Sequence, residues 1–144
     1  TGEAFFQWQS NKPMRIAQRY NFGLGPRYMA IKTKTLSFFI SPLIMYEVDI
    51  ESSGKIESLM RMSTYISLDA LFAKKYRWNS IAYYQPAFGK WDDIRVVLNS
   101  RFSSPLSPKL NLVVSSNINY DAYPGGSDLP NFTYGFTSGL GWRF

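Results

Sequence analysis

The sequence contains no cysteine and no histidine. The first absence excludes disulfide staples, thiolate metal sites and cysteine nucleophiles, and suits a chain that passes unfolded through an oxidising compartment. The second removes the general base on which hydrolases and acyltransferases generally rely, together with the usual ligands of zinc and redox metals. Charge is also scarce: Asp, Glu, Lys and Arg make up 18% of the chain, against roughly 25% in soluble domains. No apolar run approaches the roughly twenty residues of a membrane-spanning helix, so a helical membrane protein is excluded. No basic segment and apolar core stand at Thr1, so a targeting peptide has been removed or the chain starts internally. Linkers, low-complexity tracts and fixed-period repeats are absent too, and 144 residues suit one domain over 1–144.

Aromatic residues, by contrast, reach 17%, and they alternate. Period-two reading gives eight candidate strands: Gly2 to Ser10, Met14 to Tyr28, Thr35 to Glu51, Ile56 to Phe72, Tyr76 to Phe88, Asp93 to Ser103, Lys109 to Asp121 and Asn131 to Phe144. In the last, Phe132, Tyr134, Phe136, Leu140, Trp142 and Phe144 share one face, while Asn131, Thr133, Gly135, Thr137, Gly139, Gly141 and Arg143 share the other. Large rings outward and small or polar groups inward are what a strand needs between lipid and the interior of a membrane barrel. The charges test this, because Arg or Lys facing lipid costs roughly 2–4 kcal/mol at the bilayer midplane. Every charged residue at an even position, Lys12, Lys32, Lys34, Lys74, Lys90, Asp92 and Asp128, falls in an expected turn. Charges within strands are odd-numbered and point inward. The expected fold is therefore an all-β, antiparallel, transmembrane up-and-down β-barrel with about eight strands visible. Pro86 breaks the fifth ladder locally, where a bulge or an early end is expected.

The terminal strand resembles that of bacterial outer-membrane proteins, which implies that Tyr134, Phe136, Leu140, Trp142 and Phe144 form the signal read by the barrel-insertion machinery. Ordered along the chain, Phe5-Phe6-Gln7-Trp8-Gln9-Ser10-Asn11, Arg19 with Gly23-Leu24-Gly25-Pro26-Arg27, Met45-Tyr46-Glu47, Arg61-Met62-Ser63-Thr64-Tyr65, Tyr83-Tyr84-Gln85-Pro86 and Asp93-Ile94-Arg95 together resemble the salt-induced outer-membrane proteins, a domain family without an established function. The resemblance implies an integral outer-membrane location in a Gram-negative bacterium and supplies no reaction. Members of that family tend to be longer, with strands before the matched region, which leaves open a larger barrel of which this chain is the carboxy-terminal part.

Several constellations invite a chemical reading. The glycines of Gly23-Leu24-Gly25 and of the last strand have no following helix to make a phosphate loop, and are better read as small inward positions. Asp92 and Asp93 point to opposite sides of an extended chain and are read as solvated rather than as a calcium loop. The inward charges Arg19, Glu47, Asp49, Arg61, Asp69, Arg95, Arg101 and Arg143 form the candidate lumen network, with Glu47 bridged by Arg19 and Arg61, and with Arg27, Arg101, Arg143 and Asp69 as a second layer. Buried charges need partners, so an ion-pair network is the first reading and an anion-selecting lining the second. Lys12, Lys55 and Lys90 are expected at the outer rim, where they face lipopolysaccharide phosphates. Despite the net charge of +6, this distribution does not suit nucleic acid.

The expected function is a non-enzymatic structural or accessory subunit of an outer-membrane assembly. It has no cofactor, and its partners are lipid, lipopolysaccharide, the insertion machinery and another outer-membrane protein. The alternatives are a narrow anion-preferring solute channel, distinct from a general porin, and a soluble lipocalin-like carrier, which requires apolar residues inside and polar ones outside.

Overall fold

The computed structural model describes residues 1–11, 16–124 and 129–142. They form β1 (Gly2–Asn11), β2 (Ile16–Pro26), β3 (Tyr28–Lys32), β4 (Leu36–Glu51), β5 (Ile56–Phe72), β6 (Tyr76–Ala87), β7 (Lys90–Pro105), β8 (Leu110–Asp121) and β9 (Phe132–Trp142). All nine lie in one antiparallel sheet of order β1-β2-β4-β5-β6-β7-β8-β9, with β3 paired to β4. No helix among the described residues is long and apolar enough to cross a membrane.

The second expected strand is split at Arg27 into β2 and β3. Leu24 faces Ile44 and Tyr28 faces Ile40, so β3 continues β2 along β4 in the same register. The ladder lapses where Pro26 and Pro42 approach each other, because neither has an amide hydrogen to donate. Gly25 sits at this point, where a Cβ would lie 2.3 Å from the Pro42 carbonyl oxygen. Ser41 Oγ donates to the Pro26 carbonyl at 2.9 Å, giving that oxygen a partner within the gap. At Pro86 the β6–β7 register shifts before Ala87, the irregularity expected there. β7 starts at Lys90 rather than Asp93, so Lys90 and Asp92 occupy its exposed first turn-side residues instead of a loop.

Alternation decides burial. Along β4, Ser41, Leu43, Met45 and Glu47 are buried while Pro42, Ile44 and Tyr46 are exposed, and β5 repeats this with Arg61, Ser63 and Tyr65 buried. The sheet curls around this inner face. Tyr65 on β5 donates to Glu3 Oε2 on β1 at 2.6 Å, and Arg95 on β7 reaches Glu47 on β4 at 2.6 Å. The curl stops short of the closed barrel expected from the alternation: among the described residues β1 and β9, the ends of the eight-strand path, are not paired with each other.

The β5–β6 connection is a four-residue turn in which Lys75 N donates to the Phe72 carbonyl at 3.1 Å. Its two central residues, Ala73 and Lys74, have φ of 47° and 60°, the mirror-image turn that suits the twist of a hairpin but that side chains resist. Replacing Lys74 with Gly is expected to stabilise the fold by about 1 kcal/mol, read as a higher urea midpoint for unfolding in detergent micelles; an unchanged or lower midpoint would contradict the strain assigned to this turn.

Candidate functional site: a charge network on the inner face

The register sets Arg19, Glu47, Asp49 and Arg61 side by side: Arg19 faces Asp49, Asn21 faces Glu47, and Met45 faces Arg61 across β2, β4 and β5. Their odd numbering turns all four side chains inward. Glu47 is only 1% exposed and is the centre of the cluster. Arg95 Nη1 approaches Glu47 Oε2 at 2.6 Å, Arg61 Nε approaches Oε1 at 3.2 Å, and Arg19 Nε approaches Oε2 at 3.6 Å.

Each arginine has a second carboxylate. Arg19 holds Asp49 with two parallel bonds of 2.6 Å from Nε and Nη2, the forked geometry that guanidinium allows and ammonium does not. Arg61 Nη2 donates to Asp93 Oδ1 at 2.9 Å, and its Nη1 donates to the carbonyls of Asp93 and Gln85 at 3.2 and 3.3 Å. Arg95 Nε donates to Asp121 Oδ2 at 2.9 Å. Four carboxylates thus surround three guanidiniums in a continuous chain across β2, β4, β5, β7 and β8. Burial without partners would cost several kcal/mol per ion, so this density of charge inside a sheet is tolerated only because nearly every donor and acceptor is used.

On one side of the network lies a cavity of about 770 Å³, whose walls add Glu51, Glu57 and Asp92 against Lys90. Its mouth is therefore acidic. The Asp92 carboxylate accepts a hydrogen bond from the Tyr123 hydroxyl, which holds that phenol above its ordinary range. On the other side is a trough of about 700 Å³ lined by Asn79, Asn99, Arg101, Asn117 and Thr137.

The structure brings Arg19, Glu47, Asp49, Arg61 and Arg95 together in this network and places Asp69 and Arg101 at the trough. Asp69 pairs with Arg77 at 2.9 Å on an exposed part of β5 and β6. Arg27 pairs with Glu3 at 2.8 Å and lies 4.1 Å above the Phe39 ring; together with Asp69 and Arg101 it lines the trough, so these three share one wall without being ion-paired to one another. Arg101 lines the trough without an ion pair among the described residues. Arg143, Lys12 and Phe144 lie outside the described residues. Lys55 is exposed and bonded to Glu57 at 2.5 Å, which raises the pKa of the amine. Tyr134, Phe136, Leu140 and Trp142 all lie exposed on one face of β9. Asp93 and Asp121 were missed as network members. Their odd numbering was a usable signal, but Asp93 and Asp121 stand at strand ends, where parity alone does not separate solvent from interior. Among the described residues no three acidic side chains are arranged to hold a metal ion.

These features define an antiparallel all-β domain with a charged interior and an apolar exterior. The family model described as a protein of unknown function, DUF481, matches residues 1–144, and the chain belongs to that family. No curated protein and no solved structure matches it.

Removing the hub should leave three guanidiniums short of a partner. Glu47→Ala is expected to destabilise the fold by about 3–5 kcal/mol, measured by urea unfolding in micelles, whereas Asp69→Ala, whose pair is exposed, leaves the midpoint nearly unchanged. Equal effects from the two substitutions would refute the hub assignment.

Proposed function

We propose that the chain is a non-enzymatic integral β-barrel of the bacterial outer membrane, acting as a structural or accessory subunit of an outer-membrane assembly. The observation that carries this reading is the outer face. Of the exposed large hydrophobic residues, all but Met29, Ile31, Trp91 and Tyr123 are even-numbered, and they run from Phe6 and Trp8 on β1 to Leu140 and Trp142 on β9. Soluble monomers seldom expose contiguous apolar patches beyond a few hundred Å², and here the apolar face extends over the whole sheet. In water such a surface drives aggregation; in hydrocarbon it is the preferred exterior. The likeness to salt-induced outer-membrane proteins supports the same location.

Several local features fit this setting. Tyr134, Phe136, Leu140 and Trp142 present a row of large apolar side chains, interrupted at Ser138, to an insertion machinery, and Lys55 and Lys90 stand at the acidic-cavity end, where lipopolysaccharide phosphates would meet them. The carboxylates of the network are each held by arginine, which favours a structural role over acid–base chemistry. An accessory subunit would dock on a neighbouring outer-membrane protein through its aromatic exterior.

A narrow solute path is the second reading, favoured by the cavity and trough lying on either side of the network. Anion preference in such a path would rest on Arg101 in the trough, since Arg19, Arg61 and Arg95 are already neutralised by carboxylates. A lipocalin-like carrier fits poorly with an interior lined by charge.

Arginine scanning of β9 tests the membrane reading. Phe136→Arg is expected to cost about 2–4 kcal/mol of folding free energy in lipid vesicles if the residue sits near the midplane, while Thr137→Arg on the inner face costs much less. Nitroxide labels at Phe22, Ile44 and Phe136 should be quenched by oxygen dissolved in the bilayer and shielded from a water-soluble relaxant. Labels that report water, or a detergent-free monomer that stays dissolved, would refute the proposal.

A further inference from the structure

A sheet lying in hydrocarbon cannot leave its edge amide and carbonyl groups unpaired. The eight-strand path ends at β1 and β9, and the short β3 is paired on one side only; on the membrane reading, on which this inference rests, the two long end strands each need a partner. We propose that β1 and β9 pair with each other in one defined register, Gly2 opposite Trp142 through Asn11 opposite Thr133.

The stagger of the strands leads to this register. From Phe132, cross-strand partners run sideways through Tyr120, Val96, Tyr84, Thr64 and Pro42. The ladders flanking Pro42 continue the line to Pro26 and Gly2. The first residue of β9 is therefore level with the first residue of β1, and β9 continues ten residues beyond that level, to Trp142. The eight strands of the main path alternate in direction, so β1 and β9 are antiparallel. Joining them end to end displaces the ladder by ten residues per circuit. For eight strands that stagger tilts the wall by about 40°, in the middle of the range of closed barrels, whereas offsets of eight or twelve fall near its limits.

Side-chain size supports the same match independently. Within the open sheet, a Cβ added at Gly135 or Gly139 meets nothing within 4 Å, so neither glycine is explained by its present neighbours. In the proposed register the inward residues Glu3, Phe5 and Gln9 fall opposite Gly141, Gly139 and Gly135. On the outer face Phe6 meets Ser138 and Ala4 meets Leu140. Ser138, which interrupts the hydrophobic row of the last strand, thereby makes room for a ring.

Cysteine pairs in the otherwise cysteine-free chain test the seam in the full-length protein, in outer-membrane vesicles under mild oxidation. Gln7→Cys with Thr137→Cys should form an intrachain disulfide at least about tenfold faster than Gln7→Cys with Gly135→Cys or with Gly139→Cys, because a two-residue shift moves the partner by about 7 Å. Non-reducing electrophoresis and mass spectrometry read the product, and the bilayer labels described above are read on the same samples. An interchain dimer, a preference for either shifted pair, or no link at all while the labels report lipid would overturn the seam and leave the membrane reading standing. A 7–137 link with labels reporting water would uphold the seam and overturn the membrane reading.

Discussion

The convergence of three arginines on Glu47 is the interaction around which the inner face is organised. A carboxylate buried this deeply is costly in isolation, and so is the equally buried guanidinium of Arg61. Together with Asp49, Asp93 and Asp121 they compensate one another, and the compensation works only if β2, β4, β5, β7 and β8 stand at their observed heights. A slip of one residue between any two of these strands would turn a whole row of charges toward the exterior and a row of rings toward the interior. The network therefore specifies register as well as occupying space, in addition to the apolar contacts of Leu43, Met45 and Tyr65.

The exterior imposes the complementary constraint. Even-numbered positions hold rings and aliphatic chains, and charges are confined to the inner face and to strand ends. Several polar residues on the outer face are small, such as Ser80, Ser100 and Ser116, which lie level on neighbouring strands. Ser100 accepts a hydrogen bond from Trp78 Nε1 at 2.7 Å, so part of this polarity is satisfied locally. The two faces together give the chain an inverted arrangement, with charge inside and hydrocarbon outside.

Much of this was legible in the sequence, because period-two alternation is local. The strands, their facing and the inward direction of Arg19, Glu47, Arg61 and Arg95 follow from it. Pairing is less legible, since partners are set by ladders between segments far apart in the chain. Asp93 completes Arg61 and Asp121 completes Arg95 only because β7 lies where it does. Arg27 lines the trough with Asp69, but its ion pair is with Glu3 and that of Asp69 is with Arg77. The interruption at Arg27 and the early start of β7 reflect particular backbone events, one at a pair of prolines and the other at a two-residue turn with Gly89 at φ 78°. Closure of the sheet was not legible at all, because alternation describes faces and carries no information about edges.

The approach of Pro26 to Pro42 interrupts one seam of the wall, the one that β4 shares with β2 and β3. Above it, β2 and β4 share a regular ladder that carries the arginine cluster; below it, β3 and the first part of β4 form a separate ladder with its own shift beside Ala30. On its other side β4 is laced to β5 from Leu36 to Ile50 without a gap. The β4–β5 pair therefore acts as a splint across the missing rungs, so that the ion cluster and the polar trough share one continuous backing.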